Sequence, residues 1–458
     1  MFARALKKLR RAVKQLLPYG VVRAIYSRSS PSRNIVRDIL PYAVAKRIWQ
    51  ERRVDFAALA RKYDDVARSI ASKVRSGAKV RVLFLVTNAS IFPAKPLCEA
   101  MLQDAFFDVR VLAIPDLRWR FGNPSKAMQD CFAALSTVVA ADRLAIAKKD
   151  AQGQWQDELS SADIVVFPLP YLDVYDGAFS PRRAAEGEFL PVCVNYGYYR
   201  SIYDRTLMAD EFYAFMWKAM FECEATLAEY RAVSLTGGDN AVLTGYVKMD
   251  ALAAVAPVRH SRKRILLALH HSVSNGTNDM LALANIARYE DFFMALPDRY
   301  PEIDFVLRPH PFLLKILSSR FLWGERKTER YFAALRAKPN VIWSDGADYL
   351  REFAESDACI QDCGSYLVEY FYTKKPCCYM LKSPHDIEEK FAPLGRHCLA
   401  HCYIAYDERA IDEFIKHVVM EADDPMMPRR EAFAGTVMLN YPHAANVALE
   451  CIKRTLKP

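Results

Sequence analysis

Two segments in the second half of the sequence share one arrangement, in which a short apolar stretch runs directly into a tight polar turn. Ile303–Leu307 leads into Arg308-Pro309-His310-Pro311, and Ala358–Gln361 leads into Asp362-Cys363-Gly364-Ser365. Strand, turn and helix in this order form the repeating unit of a parallel sheet covered by helices. Ligands of such sheets bind beyond the carboxyl ends of the strands, where helices begin. The pattern predicts an α/β fold with both turns at one edge, suited to nucleotide phosphates.

The alternation of strand and helix patterns forms two series, separated by a glycine-containing passage between Gly237 and Gly245. At 458 residues the chain is too long for a single core. We expect a basic helical extension (1–77), a Rossmann-like acceptor domain (78–245), a Rossmann-like nucleotide-donor domain (246–430) and a closing helix (431–458). Strands are predicted at Lys79–Val86, Phe107–Ile114, Ile164–Leu169, Leu190–Val194, Arg264–Leu269, Ile303–Leu307, Asn340–Trp343, Ala358–Gln361 and Cys377–Met380, and helices at Val54–Arg75, Ile411–Glu421 and Arg430–Lys457.

Composition excludes several classes of protein. No run reaches the roughly 18 to 20 apolar residues that cross a bilayer, and no cleavable signal peptide is visible. The 11 cysteines are scattered and odd in number, which argues against a disulfide framework. Cys398 and Cys402, with two nearby histidines, match no zinc spacing. We expect no metal and no cofactor. The net charge of +9 comes without a nucleic-acid-binding motif, so nucleic acid is not an expected partner.

The first residues combine positive charge with an apolar helical face. The two sets are Arg4, Lys7, Lys8, Arg10, Arg11 and Lys14, and Phe2, Leu6, Leu9, Val13, Leu16 and Leu17. A helix of this kind binds the surface of an anionic membrane. A helix docked on its own domain and a transit peptide are alternatives. We expect residues 1–17 to hold the protein on the cytoplasmic face of a bacterial cell membrane.

The turn around Gly364 predicts contacts to both parts of a nucleotide diphosphate. If Ser365 caps the following helix, its hydroxyl and the first amides face an anion, beside Asp362 and Gly364. Glu369 lies one helical turn further and is predicted to accept hydrogen bonds from ribose hydroxyls. The alternative is an ordinary N-cap followed by a solvated glutamate.

Two further loops carry cationic or hydrogen-bonding side chains. Prolines stiffen the Arg308–Pro311 turn, so Arg308 can bind a phosphate bidentately and His310 can donate to a leaving diphosphate. His271 and Ser272 follow the strand Arg264–Leu269 and are predicted to lie at the same edge. A packed turn histidine is the alternative for His310.

Taken together, the motifs of the second half resemble the CDP-glycerol glycerophosphotransferase family of teichoic-acid-type polymerases. The similarity covers roughly residues 80–440 and is weaker in the first domain. It is carried by Arg308-Pro309-His310-Pro311, Ser356-Asp357-Ala358, Asp362-Cys363-Gly364-Ser365, Glu369-Tyr370, Lys374-Lys375-Pro376 and Gly245-Tyr246-Val247-Lys248-Met249-Asp250. It implies a GT-B fold, two domains facing a cleft, and a CDP-linked polyol phosphate donor with His310 and Ser365 near its phosphates.

One departure from this family lies on the acceptor side. Where the family has the histidine of a His-Gly-Thr segment as its proposed base, this sequence reads Asn195-Tyr196-Gly197. A tyrosine of ordinary pKa near ~10 is a poor base at neutral pH. Tyr196 is therefore expected to orient an acceptor hydroxyl, with Asp163, Asp204 or Asp210 as alternative bases. Phosphoryl transfer relies largely on positioning and charge neutralisation, so activity does not require the missing histidine.

The expected function is transfer of a glycerol- or ribitol-phosphate, or a related unit, from a CDP-activated donor to a cell-surface polysaccharide or lipid-linked primer. His310, Arg308 and Tyr196 are the predicted catalytic residues. A catalytically degenerate nucleotide- or glycan-binding protein is one alternative, because of Tyr196. A non-hydrolysing sugar-nucleotide epimerase is another, although only Glu369 of that class's paired glutamates is present.

Overall fold

The computed structural model describes residues 54–118, 123–274, 281–346 and 349–457. The chain separates into two compact units, 1–59 and 60–458, and the second unit contains the two sheets formed by the described residues. The predicted membrane-binding segment, residues 1–17, lies outside the described residues. Within the described ranges, no helix is both long and apolar enough to span a bilayer.

The first sheet has seven strands in the order β3-β2-β1-β4-β5-β6-β7, all parallel. The order reverses between β1 and β4, as in a doubly wound fold. Its strands are β1 (Val80–Val86), β2 (Phe107–Ala113), β3 (Leu144–Ile146), β4 (Ile164–Phe167), β5 (Leu190–Val194), β6 (Lys218–Phe221) and β7 (Ala241–Leu243).

The second sheet has six parallel strands in the order β10-β9-β8-β11-β12-β13 and reverses between β8 and β11. Alternate residues of β8 enter two different apolar cores, Leu266 on one face and Leu267 on the other. A strand buried on both faces reads as a continuous apolar run. The strands are β8 (Lys263–Leu269), β9 (Ile303–Pro309), β10 (Val341–Trp343), β11 (Ala358–Gln361), β12 (Cys377–Met380) and β13 (Tyr403–Ala405).

Helices cover both sheets. The α-helices are α1 (Phe56–Arg75), α2 (Lys95–Gln103), α3 (Pro124–Leu135), α4 (Ile202–Met208), α5 (Glu211–Ala214), α6 (Glu224–Val233), α7 (Asp250–Ala253), α8 (Glu290–Arg299), α9 (Leu313–Leu317), α10 (Glu325–Arg336), α11 (Leu350–Glu355), α12 (Tyr366–Glu369), α13 (His385–Lys390), α14 (Pro393–Leu399), α15 (Glu408–Glu413), α16 (Met427–Val437) and α17 (Ala444–Leu456). Single 3₁₀ turns occur at Leu159–Ser161, Leu172–Val174, Gly177–Phe179, Pro181–Ala185, Val247–Met249 and Tyr370–Thr373, and a π-helix spans Phe414–Met420.

The two sheets and their parallel strands confirm the predicted α/β class, and all nine predicted strands are present. Four short strands were not predicted: β3, β6, β7 and β13. The predicted helix Arg430–Lys457 is wrong as a single element, because α16 ends at Val437 and α17 begins at Ala444. Helix α17 packs against α2 of the first sheet, where Lys453 forms an ion pair of 2.5 Å with Asp104. The domain boundaries at 77, 245 and 430 remain predictions.

Gly245 marks a tight approach in the passage between the two sheets. Its φ of +86° is open to glycine but strained for other residues, and a Cβ would lie 2.1 Å from the carbonyl oxygen of Leu439. The passage is thereby held against the segment that joins α16 to α17.

Candidate active site

Both polar turns lie at the carboxyl edge of the second sheet, on either side of strand β8. The backbone N–H of His310, after β9, donates to the carbonyl of Leu269 at 2.8 Å. The N–H of Asp362, after β11, donates to the carbonyl of Ala268 at 3.3 Å. Strands β9 and β11 are the two neighbours of β8, so the turns flank His270 at the point where the strand order reverses. Such reversal points hold the ligands of open α/β sheets.

Three histidines form a cluster at this edge. The rings of His271 and His310 lie 4.0 Å apart between centroids, those of His270 and His271 4.3 Å apart, and those of His270 and His310 5.7 Å apart. Phe312 lies beside the cluster, 5.4 Å from the ring of His310. The predicted neighbours His271 and His310 are thus in contact, and His270 joins them.

Hydrogen bonds fix the protonated nitrogen in two of these rings. Nδ1 of His310 accepts from the backbone N–H of Phe312 at 3.1 Å, so the proton of the neutral ring lies on Nε2. Nδ1 of His270 accepts from the N–H of Ser272 at 3.2 Å and lies 2.7 Å from its hydroxyl. The Ser272 hydroxyl also accepts from the N–H of Leu283 at 2.9 Å. Ser272 therefore orients His270.

The histidines are held in the neutral form. Burial lowers the pKa of His271 to about 4. Burial, with a smaller contribution from His271, lowers the pKa of His310 to about 3. The pKa of His270 falls well below its usual value because of burial and then of the charges of His271, His310 and Arg200. A bound phosphate would oppose these shifts, because an anion favours the imidazolium form.

Asp362 is a buried structural residue, which corrects the prediction that it binds the nucleotide donor. Its carboxylate accepts from the backbone N–H groups of His270 at 2.7 Å and Asn285 at 2.6 Å, and the side chain is fully buried. Burial raises the pKa of Asp362 to about 7, against the opposing effect of these hydrogen bonds. Asp362 ties the loop after β8 to the turn after β11.

The predicted cap of Ser365 is wrong. Ser365 has helical φ and ψ (−64° and −42°), and its side chain makes no capping hydrogen bond. Helix α12, which follows, spans four residues, and α9 after His310 spans five. Helices this short supply little aligned dipole. Positive potential at the two turns must come from side chains rather than from helix openings.

The prediction that Glu369 binds the ribose is also corrected. Its side chain has 0% exposure, and it accepts from the hydroxyls of Tyr246 at 2.9 Å and Tyr349 at 2.7 Å. Lys248 completes the cluster with an Nζ–Oε1 distance of 3.3 Å. The Gly245–Asp250 motif and Glu369, separate in sequence, thus meet in one buried ionic network.

Arg308 is engaged within the protein. Its guanidinium donates to the hydroxyl of Tyr366 at 3.1 Å, to the hydroxyl of Ser344 at 2.7 Å, to the carboxylate of Glu352 at 3.2 Å and to the carbonyl of Gly346 at 2.6 Å. These bonds brace the loop after β10 against α12. A bidentate phosphate contact by Arg308 stays a prediction and would require it to exchange some of these partners.

The loop after β5 faces this edge from the first sheet. A Cβ on Gly197 would lie 3.9 Å from Oγ of Ser365, and the backbone carbonyl of Tyr196 accepts from the hydroxyl of Tyr246 at 2.6 Å. The half-buried ring of Tyr196 packs edge-on against Tyr171 at 6.3 Å. The predicted acceptor-side and donor-side segments are therefore adjacent.

Asn195 does not reach the surface, which corrects its acceptor-side prediction. It is buried, donates to the carboxylate of Glu222 at 2.9 Å and accepts from the hydroxyl of Tyr213 at 2.7 Å. Burial raises the pKa of Glu222 to about 7.

The three alternative aspartate bases are likewise occupied. Asp163 precedes β4, at the amino edge of its sheet, and pairs with Arg81 at 2.8 Å. Asp210 accepts from the N–H of Phe212 at the start of α5. Asp204 forms a capping box with Ser201 at the start of α4. Each of the three thus has a structural hydrogen bond, and a role as the base stays a prediction.

Arg200 is the site residue that the sequence analysis missed. It follows Tyr196 and Gly197 in the loop after β5, and a Cβ on Gly364 would lie 2.3 Å from its Nη2. Its Nη1 donates to Asp204 at 2.8 Å. The run of aromatic residues before Arg200 gave no signal of this contact, which depends on how the two sheets meet.

Comparisons with solved structures place this architecture among known folds. The wall teichoic acid polymerase TagF is 12% identical over 82% of this chain and 88% of its own, with a TM-score of 0.54. The S. aureus MnaA structure with UDP is 13% identical over 83% and 99%, with a TM-score of 0.51. The UDP-GlcNAc 2-epimerase from Neisseria meningitidis, bound to UDP-GlcNAc, is 13% identical over 82% and 100%, with a TM-score of 0.50. No protein-family model and no curated protein matches the sequence. At sequence identities this low, the structural similarity establishes the fold alone, and that fold is GT-B.

Proposed function

We propose that this GT-B protein is a transferase that moves a polyol phosphate, glycerol- or ribitol-phosphate or a related unit, from a CDP-linked donor to a surface polysaccharide or its lipid-linked primer. The observation that carries the proposal is the convergence of His270, His271 and His310 with the Gly364 turn where the strand order reverses. Solved neighbours with the same fold include a TagF variant soaked with CDPG and MnaA with UDP.

The reaction would proceed by displacement at the distal phosphorus of the donor. The acceptor hydroxyl loses its proton to solvent as its oxygen forms the new bond to that phosphorus, the bond to the bridging oxygen breaks, and CMP leaves with that oxygen. Nε2–H of His310 is the donor suited to the charge that grows on CMP, because Nδ1 is already occupied as an acceptor. Such transfer depends mainly on positioning and electrostatic stabilisation.

Two other functions each rest on one observation. The solved neighbours include UDP-GlcNAc 2-epimerases, which favours an epimerase of a sugar nucleotide. Tyr196, at the place of the expected base, favours a protein that binds the nucleotide without turnover. Both predict nucleotide binding at the same edge, so binding alone does not separate them from the transferase.

The test combines binding with turnover. Purified protein is melted with CDP-glycerol, CDP-ribitol or UDP-GlcNAc, and a ligand at about 100 times its Kd should stabilise the fold by roughly 2.7 kcal/mol. A preference for the cytidine nucleotides followed by CMP release with a membrane fraction supports the transferase. His310→Ala should abolish that release, whereas the exposed His397→Ala should not. No shift with either cytidine nucleotide rejects the proposal, and conversion of UDP-GlcNAc to its epimer replaces it.

The acceptor and the membrane belong to the same proposal. A lipid-linked or polymeric acceptor is found at a membrane surface, and the basic apolar segment 1–17 is suited to hold the protein there on the cytoplasmic face.

A further inference from the structure

Arg200 belongs to the first sheet but places its guanidinium against the second. A Cβ on Gly364 would lie 2.3 Å from Nη2 of Arg200 and 3.0 Å from both Cζ and Nε. The backbone carbonyl of the same residue accepts from the N–H of Ala392 at 2.9 Å, so main chain and side chain are both fixed on the second sheet's side. Gly364 is thus required for the close approach of this positive charge.

The guanidinium is only partly satisfied by the protein. Nη1 donates to the carboxylate of Asp204 at 2.8 Å and to the carbonyl of Tyr198 at 3.3 Å. Nε is buried and has no hydrogen-bond acceptor among the described residues. A buried N–H without an acceptor is costly, and more so in a charged group. The side chain is 17% exposed, so this donor is held in place rather than solvated.

Asp204 positions Arg200, but the negative charge of its carboxylate is shared among several donors. The same carboxylate oxygen also accepts from the backbone N–H groups of Arg200 at 3.0 Å and Ser201 at 2.8 Å. The positive charge of Arg200 extends to the histidine cluster, where it contributes to the lowered pKa of His270. An unsatisfied cationic fork beside the Gly364 turn is suited to an anion with several oxygens.

We propose that Arg200 is the contact that the first sheet supplies to the diphosphate of the donor, through Nη2 of its guanidinium, which lies beside the Gly364 turn. The inference rests on the proposed function and adds to it a residue outside the motifs of the second half. Binding of the diphosphate would then join the two sheets, because Arg200 and the histidines contact one ligand from opposite sides.

The test compares CDP with cytidine by titration calorimetry, since only CDP carries the diphosphate. Arg200→Gln should weaken CDP binding by about 10- to 100-fold, the loss expected for charge-assisted hydrogen bonds, and change cytidine binding by less than about two-fold. Arg205→Gln is the matched control: Arg205 lies on α4, is 55% exposed and pairs with Glu229 at 3.7 Å. It should leave both affinities unchanged.

Arg200→Lys keeps the charge and loses the fork, and it serves as the second variant if the glutamine variant does not fold. It should also weaken CDP selectively. Wild-type CDP affinity retained in a folded Arg200 variant overturns the proposal, as does an equal loss of CDP and cytidine, which marks a residue that only braces the two sheets. If the wild-type protein binds no CDP, the proposed function itself is rejected. If the wild type and the folded Arg200 variants bind CDP equally well, only the role of Arg200 is rejected.

Discussion

At the scale of single residues, burial of the histidine cluster makes protonation of its rings unfavourable. His271 lies against His310 and beside His270, so a proton on any one of the rings disfavours a proton on the next. The sign of the effect on stability follows from the unfolded chain, whose histidines bind protons near the ordinary value. When the pH falls below the ordinary pKa of histidine, the unfolded state binds protons that the folded state does not bind. The free energy of unfolding therefore decreases.

His271→Asn should therefore make the protein less sensitive to acid. The pKa of His271 falls from 6.5 to about 4, so its contribution is neutral above pH ~7 and costs about 2 kcal/mol at pH ~5. Asp362 acts in the opposite direction, because its raised pKa stabilises the folded state fully below pH ~4, and this stabilisation is lost as the pH rises through about 7.

Urea unfolding at pH 7.5 and pH 5 measures the difference. The loss of stability on acidification should be smaller in the variant than in the wild type by about 2 kcal/mol, with little difference at pH 7.5. An identical acid response in both proteins would show that His271 takes up its proton without cost.

The sequence predicted which residues meet at the site better than it predicted what each one does. The turns that carry His271, His310, Gly364 and Ser365 lie at one edge of the second sheet, because strand order alone places them there. Glu369 was assigned to a ribose, yet Lys248, 121 positions earlier in the chain, neutralises it in the core. Arg200 was missed for the same reason, since its partner Gly364 lies on the other sheet. Contacts between distant segments leave no local pattern.

At the scale of elements, two helical glycines show how packing decides the effect of the same substitution. In α14, a Cβ on Gly395 would lie 2.2 Å from the backbone oxygen of Arg200. In α16, Gly435 is exposed and a Cβ would meet nothing within 4 Å. Gly395→Ala should destabilise by about 2 kcal/mol or more, because backbone must move. Gly435→Ala should stabilise by about 0.5 to 1 kcal/mol, because alanine loses less entropy in a helix.

Thermal or urea unfolding of both variants provides the measurement, and each is the control for the other. Gly395→Ala should also weaken CDP binding, since the backbone that it displaces holds Arg200. Effects of opposite sign, with the larger one in Gly395→Ala, would agree with the structure, whereas destabilisation of similar size in both would show that helix propensity does not operate in α16.

The strands that the sequence predicted and those that it missed differ in length and burial. Strands β8, β9 and β11 read as apolar runs because helices cover both of their faces. Strands β3 and β7 have three residues each, all partly exposed, and lie at the two ends of the first sheet. Segments this short carry no periodicity, so pairing with a formed neighbour decides them. The break between α16 and α17 contains Asn440 and Pro442, and proline interrupts a helix, so the sequence did carry a signal for it.

At the scale of the whole molecule, the two sheets are linked by more than the passage at Gly245. The hydroxyl of Tyr198 lies 2.6 Å from that of Tyr372 and donates to the carbonyl of Val437 at 2.8 Å, and Ser201 pairs with Phe391 as an isolated bridge. Helix α17 returns to α2 of the first sheet. These contacts fix the loop after β5 over the histidine edge, and the position of Arg200 follows from them.

Residues 1–17, which lie outside the described residues, combine a basic face with an apolar one. Deletion of these residues should release the protein from vesicles that contain anionic lipid, because six basic side chains and an apolar face are lost together. Replacing Lys7, Lys8, Arg10 and Arg11 by Gln should weaken binding strongly to anionic vesicles and little to neutral ones, at about 1 kcal/mol for each charge. Sedimentation with vesicles measures the bound fraction, and the melting temperature of each variant checks the fold. Retention of the truncated protein on anionic vesicles would place the membrane contact elsewhere on the chain, while release of both variants with unchanged CDP binding would separate anchoring from donor recognition.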